Sequence, residues 1–408
     1  MLFLKTMLMV CQNYYPEIGS AGNRMQNITH LMKERGYEVE VITAAPSYPN
    51  FNLYKDDRFW NDVELNNQPF IKRLITKQRK HTSNMLSRLA LFLEQMIKGV
   101  AAVRALDTKP DVVFATTPSF FMAFVGVYAK RKHGVPFVLD VRDLWPESVK
   151  GVGVFKYDWM LTPAFWFEKR LYKSADAIII NSEGFRSYLR QRGVDNGMIH
   201  YMPNSIRVSE RNLERTVPED DRMEILYAGN MGLAQDVSLL LELAERFRDE
   251  PRVHFKLIGY GYRKNELKAT IKARGFKNFL FLEAMPRTEA FQAIKNADVA
   301  FVSLIDQDVF DTVIPGKLID YMAVGKPIVA AVSGHAANVI EAAEVGYVSR
   351  KRDIDEIEQS LRTLLDRPDL RDKFGANGIR YVKDNLCWEN NIHVLDDVID
   401  KLMMEEQR

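Results

Sequence analysis

The chain has 408 residues, 47% of them hydrophobic and 27% charged, with 56 Lys and Arg against 54 Asp and Glu. That is a soluble composition with core material for two or three domains, and a net charge of +2 gives no footprint for a polyanion, so no nucleic-acid partner is expected. Cys11 and Cys387 offer neither metal-ligand spacing nor the density of a secreted disulfide scaffold, which fits a reducing cytoplasm.

Residues 1–10 are apolar but lack the layout of a signal peptide, and they read as a first buried strand at 7–10. The loop that follows carries Gly19, Ser20, Ala21 and Gly22, small enough for a ligand to approach the backbone closely. Arg24, at the start of the next helix, is suited to gripping phosphate or orienting an acceptor. The alternative is a plain strand-to-helix loop. The spacing does not match the dinucleotide fingerprint, so NAD is not inferred.

A strand is expected at 38–43. Residues 71–104 then form a basic segment, with Lys72, Arg73, Lys77, Arg79, Lys80, Arg88, Lys98 and Arg104 against Glu94 alone. These flank Leu86, Leu89, Leu91, Phe92, Leu93, Met96 and Ile97, a pattern able to lie on an anionic lipid surface. A solvated basic loop followed by an ordinary core helix explains it as well.

The apolar run 112–129 is broken by Thr116-Thr117-Pro118-Ser119. Pro118 fits a first helical position capped by Thr117, so a strand and a buried helix are expected rather than a membrane span. After the strand at 137–141 come Arg142, Asp143, Trp145 and Glu147, at a strand's carboxyl end where chemistry is expected. Arg142 is suited to neutralising developing negative charge, and Asp143 to holding it or touching a sugar hydroxyl. A structural Arg–Asp pair over Trp145 is the plainer alternative. A fifth strand is expected at 177–180.

The pattern restarts around 202–209 and the polar stretch 216–222. Further strands are expected at 224–228, 254–258, 279–282, 299–302 and 328–331. Gly229 and Gly232 permit a tight turn toward a diphosphate, with Asn230 or Gln235 as donors and Asp236 as a helix cap. Arg263 and Lys264 follow a second two-glycine turn. Gly316 frees the backbone at a helix start, Lys317 adds a cation there, and Asp320 shares its face of the helix. A cation beside a carboxylate suits a nucleoside diphosphate with two ribose hydroxyls; an ordinary surface pair also fits. Residues 388–402 have the apolar spacing of an amphipathic helix.

Buried strands alternating with helices predict an α/β protein made of two Rossmann-like, doubly wound domains. Their expected extents are 1–207 with a C-terminal helix at 386–408, and 208–385.

The Tyr15-Pro16-Glu17-Ile18-Gly19 loop, Arg142-Asp143-Leu144-Trp145-Pro146-Glu147, Pro203-Asn204-Ser205, Ala228-Gly229-Asn230-Met231-Gly232 and Pro315-Gly316-Lys317 with its Asp320-Tyr321-Met322-Ala323 continuation resemble the family 4 glycosyltransferases. The likeness extends to bacterial enzymes that build capsule and O-antigen repeat units, including acetamido-sugar transferases such as those of N-acetylfucosamine. The resemblance implies the GT-B fold, two domains facing a cleft, with the last helix crossing back to the first domain. It implies a nucleotide-sugar donor, UDP by family likeness, held mainly by the second domain. A polyprenyl-diphosphate-linked saccharide acceptor would lie against the first. Transfer with retention of configuration and no essential metal or other cofactor is implied. A cytoplasmic location on the inner face of the plasma membrane, through residues 71–104, is expected with it.

On that resemblance Lys317, Gly316 and the Gly229–Gly232 turn would stabilise the departing diphosphate, and Asp320 would hold the ribose. Arg24, Arg142 and Asp143 would face sugar and acceptor. The chain departs from the family in three places. Thr312 stands where the first of two glutamates is usual, Asp320 matching the second. Arg142-Asp143 replaces the commoner His-Asp. The usual Arg–Lys pair on the diphosphate is missing after Gly232, leaving Lys317 with Arg263 or Lys264 to cover it. A UDP-sugar 2-epimerase of related fold, or a non-catalytic partner subunit of a transferase, is the rival expectation.

Overall fold

A computed structural model describes residues 5–66, 68–76, 85–153, 157–216 and 221–406. Residues 1–4, Lys77, Arg79 and Lys80 of the basic segment, 217–220 of the polar stretch and 407–408 lie outside the described residues, as does the side chain of Leu86.

The chain forms two compact units, Met1–Pro203 with Glu389–Arg408, and Asn204–Trp388. In the first, the order is β1 (Lys5–Cys11), α1 (Ser20–Glu34), β2 (Tyr37–Ala44), β3 (Ile71–Leu74), α2 (Met85–Arg104), β4 (Val112–Thr116) and α3 (Phe120–His133). It continues through β5 (Phe137–Val141), α4 (Glu147–Gly151), α5 (Thr162–Ser174), β6 (Ala177–Ile180), α6 (Phe185–Gln191) and β7 (Ile199–Tyr201). The strands make one seven-stranded parallel sheet in the order β3-β2-β1-β4-β5-β6-β7.

The second unit runs α7 (Val208–Arg211), β8 (Met223–Asn230), α8 (Ser238–Arg246), β9 (Val253–Tyr260), α9 (Lys264–Arg274), β10 (Phe279–Glu283), α10 (Arg287–Asn296) and β11 (Val299–Ser303). Then come α11 (Gly316–Ala323), β12 (Ile328–Ala331), α12 (Gly334–Ala342), β13 (Gly346–Val348), α13 (Ile354–Asp366) and α14 (Pro368–Asn385), followed by α15 (Trp388–Asn391), of which only Trp388 belongs to this unit. Its six strands are parallel in the order β10-β9-β8-β11-β12-β13.

Both sheets are laid down from the middle outward, so each reverses direction between its first and fourth strands. Ligands bind open α/β sheets at such switch points, outside the strands' carboxyl ends. The central strands β4, β5, β11 and β12 are buried along their whole length because helices cover both faces. The expected doubly wound class is therefore observed in both units.

The short strands β3, β7 and β13 were not foreseen; they are three or four residues long and only partly buried. Helix α3 begins at Phe120 with Ser119 as its cap, its hydroxyl oxygen accepting from Met122 N–H, in place of the expected Thr117 cap and Pro118 start. Asp236 does not cap α8, where Val237 precedes the first residue; it accepts the Ser238 hydroxyl instead. Ile206 N–H bonds to Leu386 C=O and Trp388 N–H to Ile206 C=O, which ties residues 386–388 to the second unit.

The last helix, α16 (His393–Glu406), packs on the first unit. Leu395, Val398 and Ile399 are buried, the Tyr37 hydroxyl donates to Asp396 at 2.8 Å, and Lys5 pairs with Asp400.

Candidate functional site

In the second unit the site is built from the ends of β8 and β9 and the start of α11, beside the switch point between β8 and β11. Gly229 has φ 136°, a conformation that favours glycine. Gly259 has φ 154°, and a Cβ there would meet Gly229 O at 1.9 Å, so the two loops close on each other only without side chains. Gln235 Oε1 accepts from Gly232 N–H at 3.0 Å and holds the turn. Helix α11 is fixed to this edge by Tyr321, whose hydroxyl accepts from Ala228 N–H at 2.7 Å. Lys317 precedes Tyr321 by one helical turn and so reaches the same edge.

The Lys317 ammonium lies 3.6 Å from the centre of the Tyr227 ring. Its Nζ is enclosed and has no hydrogen-bond partner. Burial pushes its pKa down to about 7, against the smaller upward pull of Asp320. An amine held this way, beside a glycine turn and a helix N-terminus, is short of an anion.

Asp320 accepts from Arg287 Nη2 at 3.0 Å, while Arg287 Nε donates to Glu210 Oε1 at 2.5 Å. Arg287 also lies 4.2 Å from the Phe291 ring. Burial raises the Asp320 carboxyl above its usual range, and Arg287 pulls it back. Sequence patterning missed Arg287, the first residue of α10; no spacing links it to Asp320, and only the fold joins them. Arg263 and Lys264, the expected helpers of Lys317, each hold an exposed carboxylate. Arg263 is paired with Glu266 at 3.0 Å and Lys264 with Glu283. Gly316 opens α11 as foreseen, after Pro315.

In the first unit, Arg24 is 1% exposed and its donors are taken. Nη2 reaches Asp140 Oδ1 at 2.8 Å and Met202 C=O at 3.0 Å, and Nη1 reaches Pro203 C=O at 3.1 Å. Asp140 also accepts the Thr116 hydroxyl at 2.9 Å. Arg24 therefore ties α1 to the ends of β5 and β7, in place of the expected part at the sugar. Gly22 is likewise a packing residue, since a Cβ would lie 2.3 Å from Glu17 O. Gly19 precedes α1 with φ 112°.

Arg142 does keep an open recess. It lines a hollow with Gln12, Asn13, Thr117 and Ser119, and its Nε and Nη1 are buried without acceptors. Its backbone N–H is fixed by Thr117 Oγ1 at 3.1 Å. Asp143 accepts the Ser148 hydroxyl at 3.0 Å, and burial raises its pKa. Trp145 packs edge-on against Phe120 at 4.5 Å, and Glu147 opens α4 within 3.8 Å of Arg192. Thr312, at the position of the usual first glutamate, donates to Val309 C=O at 2.6 Å.

Two family models match the chain, one over most of each unit. The Glycosyl transferase 4-like domain matches residues 19–205 and Glycosyl transferases group 1 matches residues 208–381. The chain is similar to the putative colanic acid biosynthesis glycosyl transferase WcaI of Escherichia coli, with 25% identity over 77% of this chain and 80% of that protein. Its fold is similar to that of sucrose-phosphate synthase from Thermosynechococcus elongatus, TM-score 0.75 at 16% identity, covering 98% of this chain and 100% of that one. It is also similar to Anabaena HepE in complex with UDP, TM-score 0.69 at 14% identity, with 98% and 100% covered.

Proposed function

This chain belongs to the glycosyltransferases of GT-B type, and from that premise we propose that it moves a sugar, with retention, from a UDP-sugar to a lipid-linked saccharide in the synthesis of a cell-surface polysaccharide. The enclosed, unpartnered ammonium of Lys317 carries the proposal. Breaking the donor's anomeric bond leaves negative charge on the departing diphosphate, and a preorganised cation beside helix N–H groups stabilises that charge. Lys317, the Gly316 backbone and the Gly229–Gly232 turn take this role, with Asn230 beside them. Asp320 receives the ribose hydroxyls.

Arg142 and Asp143 serve the sugar and acceptor. Acetamido-sugar donors and a metal-independent reaction belong to the same proposal. The colanic acid relative supports a polysaccharide product, and the HepE complex supports UDP as the donor's nucleotide.

Peripheral docking on the inner face of the plasma membrane is supported by one face of the first unit. Helix α2 exposes Leu89, Leu93 and Ile97 beside Arg88, Lys98 and Arg104. Phe92 stacks on Phe121 and Phe124 meets Phe167, each at 5.8 Å, which joins α2 and α5 across α3. Helix α5 adds exposed Trp166 and Phe167 with Lys169, Arg170 and Lys173. Aromatic and basic side chains together suit an anionic lipid surface. Among the described residues no helix is long and apolar enough to cross a membrane.

The test is a panel of nucleotide sugars incubated with the purified chain and a polyprenyl-diphosphate saccharide. A new glycosidic bond with the donor's anomeric configuration is expected. Conversion of the nucleotide sugar to an epimer with no acceptor present, or no turnover of any donor, overturns the proposal.

A further inference from the structure

The first unit holds a cation without an acceptor of its own, at its own switch point. Arg142 follows β5, and its Nε and Nη1 are buried with no hydrogen-bond partner. The carboxylates nearest in sequence are engaged elsewhere: Asp140 by Arg24 and Thr116, Asp143 by Ser148. Two guanidinium nitrogens kept out of water without acceptors are costly, since they give up hydration for nothing in return.

Its surroundings favour a negative guest. The recess is lined by Ala21 in the first turn of α1 and by Ser119, the cap of α3. Both helices carry no acidic residue in the first turn, so neither positive helix end is neutralised from within. Gln12 stands on the same wall. Two helix N-termini and a planar, forked donor converge on one hollow, which is the geometry of phosphate recognition.

We propose that this recess is a second diphosphate subsite, seating a phosphoryl group of a substrate on Arg142, independently of Lys317. It rests on the transferase reading only for the origin of that group: the donor or a phosphorylated acceptor. The recognition chemistry is the same for both.

Calorimetry with inorganic pyrophosphate on the full chain tests it. K317M is expected to bind one pyrophosphate, and the double variant K317M/R142M to bind at least about tenfold more weakly. Displacement of that pyrophosphate by UDP assigns the site to the donor; displacement by farnesyl diphosphate alone assigns it to a lipid acceptor. Either supports the subsite, and displacement by neither overturns it.

Equal pyrophosphate affinity of K317M and the double variant also overturns it. Thermal unfolding supplies a readout that a packing role would move the other way. R142M is expected to melt no lower than the parent chain without ligand, and to lose the stabilisation pyrophosphate gives. A lower melting point with pyrophosphate stabilisation intact contradicts the proposal. Failure of UDP to bind through Lys317 would sink the transferase reading while leaving these outcomes readable.

Discussion

Lys317 of α11 sits over the ring of Tyr227 on β8, its ammonium 3.6 Å from the ring centre and touching no hydrogen-bond acceptor. The aromatic face compensates part of the desolvation, and Tyr321 locks the helix that carries the amine to the same strand. The site is thus built around a charge that folding alone does not satisfy.

Stability should register that charge. Burial lowers the Lys317 pKa from 10.5 to about 7, so between those values the unfolded chain holds a proton that the folded chain lacks. Folding stability from this group therefore rises with pH across that window and is poorest below about pH 7. K317M should remove this dependence and raise stability at neutral pH by about 1–3 kcal/mol. Chemical denaturation from pH 6 to 10 reads it; a K317M chain less stable than the parent at pH 7 argues that the amine is satisfied.

Nucleotide affinity should move in the opposite sense. A diphosphate binds the protonated amine, so UDP affinity should be highest near pH 7. It should fall by up to about tenfold per unit above it, until the pKa of the bound state is reached. Above pH 7 the terminal phosphate is already largely ionised and does not counter the trend. Calorimetric titrations at pH 7, 8 and 9 check this, with K317M expected to show no slope.

Arg24 and Asp140 form a fully buried pair, 1% and 0% exposed, and should behave as structure. Either R24M or D140N leaves an uncompensated charge in the interior, with a cost of about 3–5 kcal/mol. Melting temperature should fall in parallel with activity. A large loss of activity with an unchanged melting temperature would return Arg24 to the chemistry.

Arg287 should act through Asp320. R287M leaves Asp320 and Glu210 without their shared cation, and the Asp320 carboxyl, already raised by burial, should rise further. Donor KM should increase more than kcat falls, and R287K should recover part of it. The loss should be largest at low pH, where Asp320 is protonated first. Equal loss at all pH values, with no recovery in R287K, points to a folding defect.

Much of the fold is legible in the chain because central parallel strands are continuous apolar runs, as in 137–141 and 328–331, which match β5 and β12 residue for residue. The strands β3, β7 and β13 escape because edge position leaves them short and partly exposed, with no apolar run to read. Lys317 and Gly316 announce themselves as a cation at a helix start after a glycine. Local pattern misleads at Arg24, which looks like a ligand-facing residue in a small-residue loop, because its partners lie more than a hundred residues away on β5 and beyond β7. Arg287 is invisible for the same reason: the pair it completes is made by the meeting of α10, α11 and α7.

The most direct measurement compares UDP with uridine as ligands for the parent chain and K317M by calorimetry at pH 7. If Lys317 holds the diphosphate, the parent chain prefers UDP and K317M loses about 2–4 kcal/mol of that preference, the size of one strong charged donor, while uridine binds both alike. Equal UDP affinity in the two chains would contradict the account.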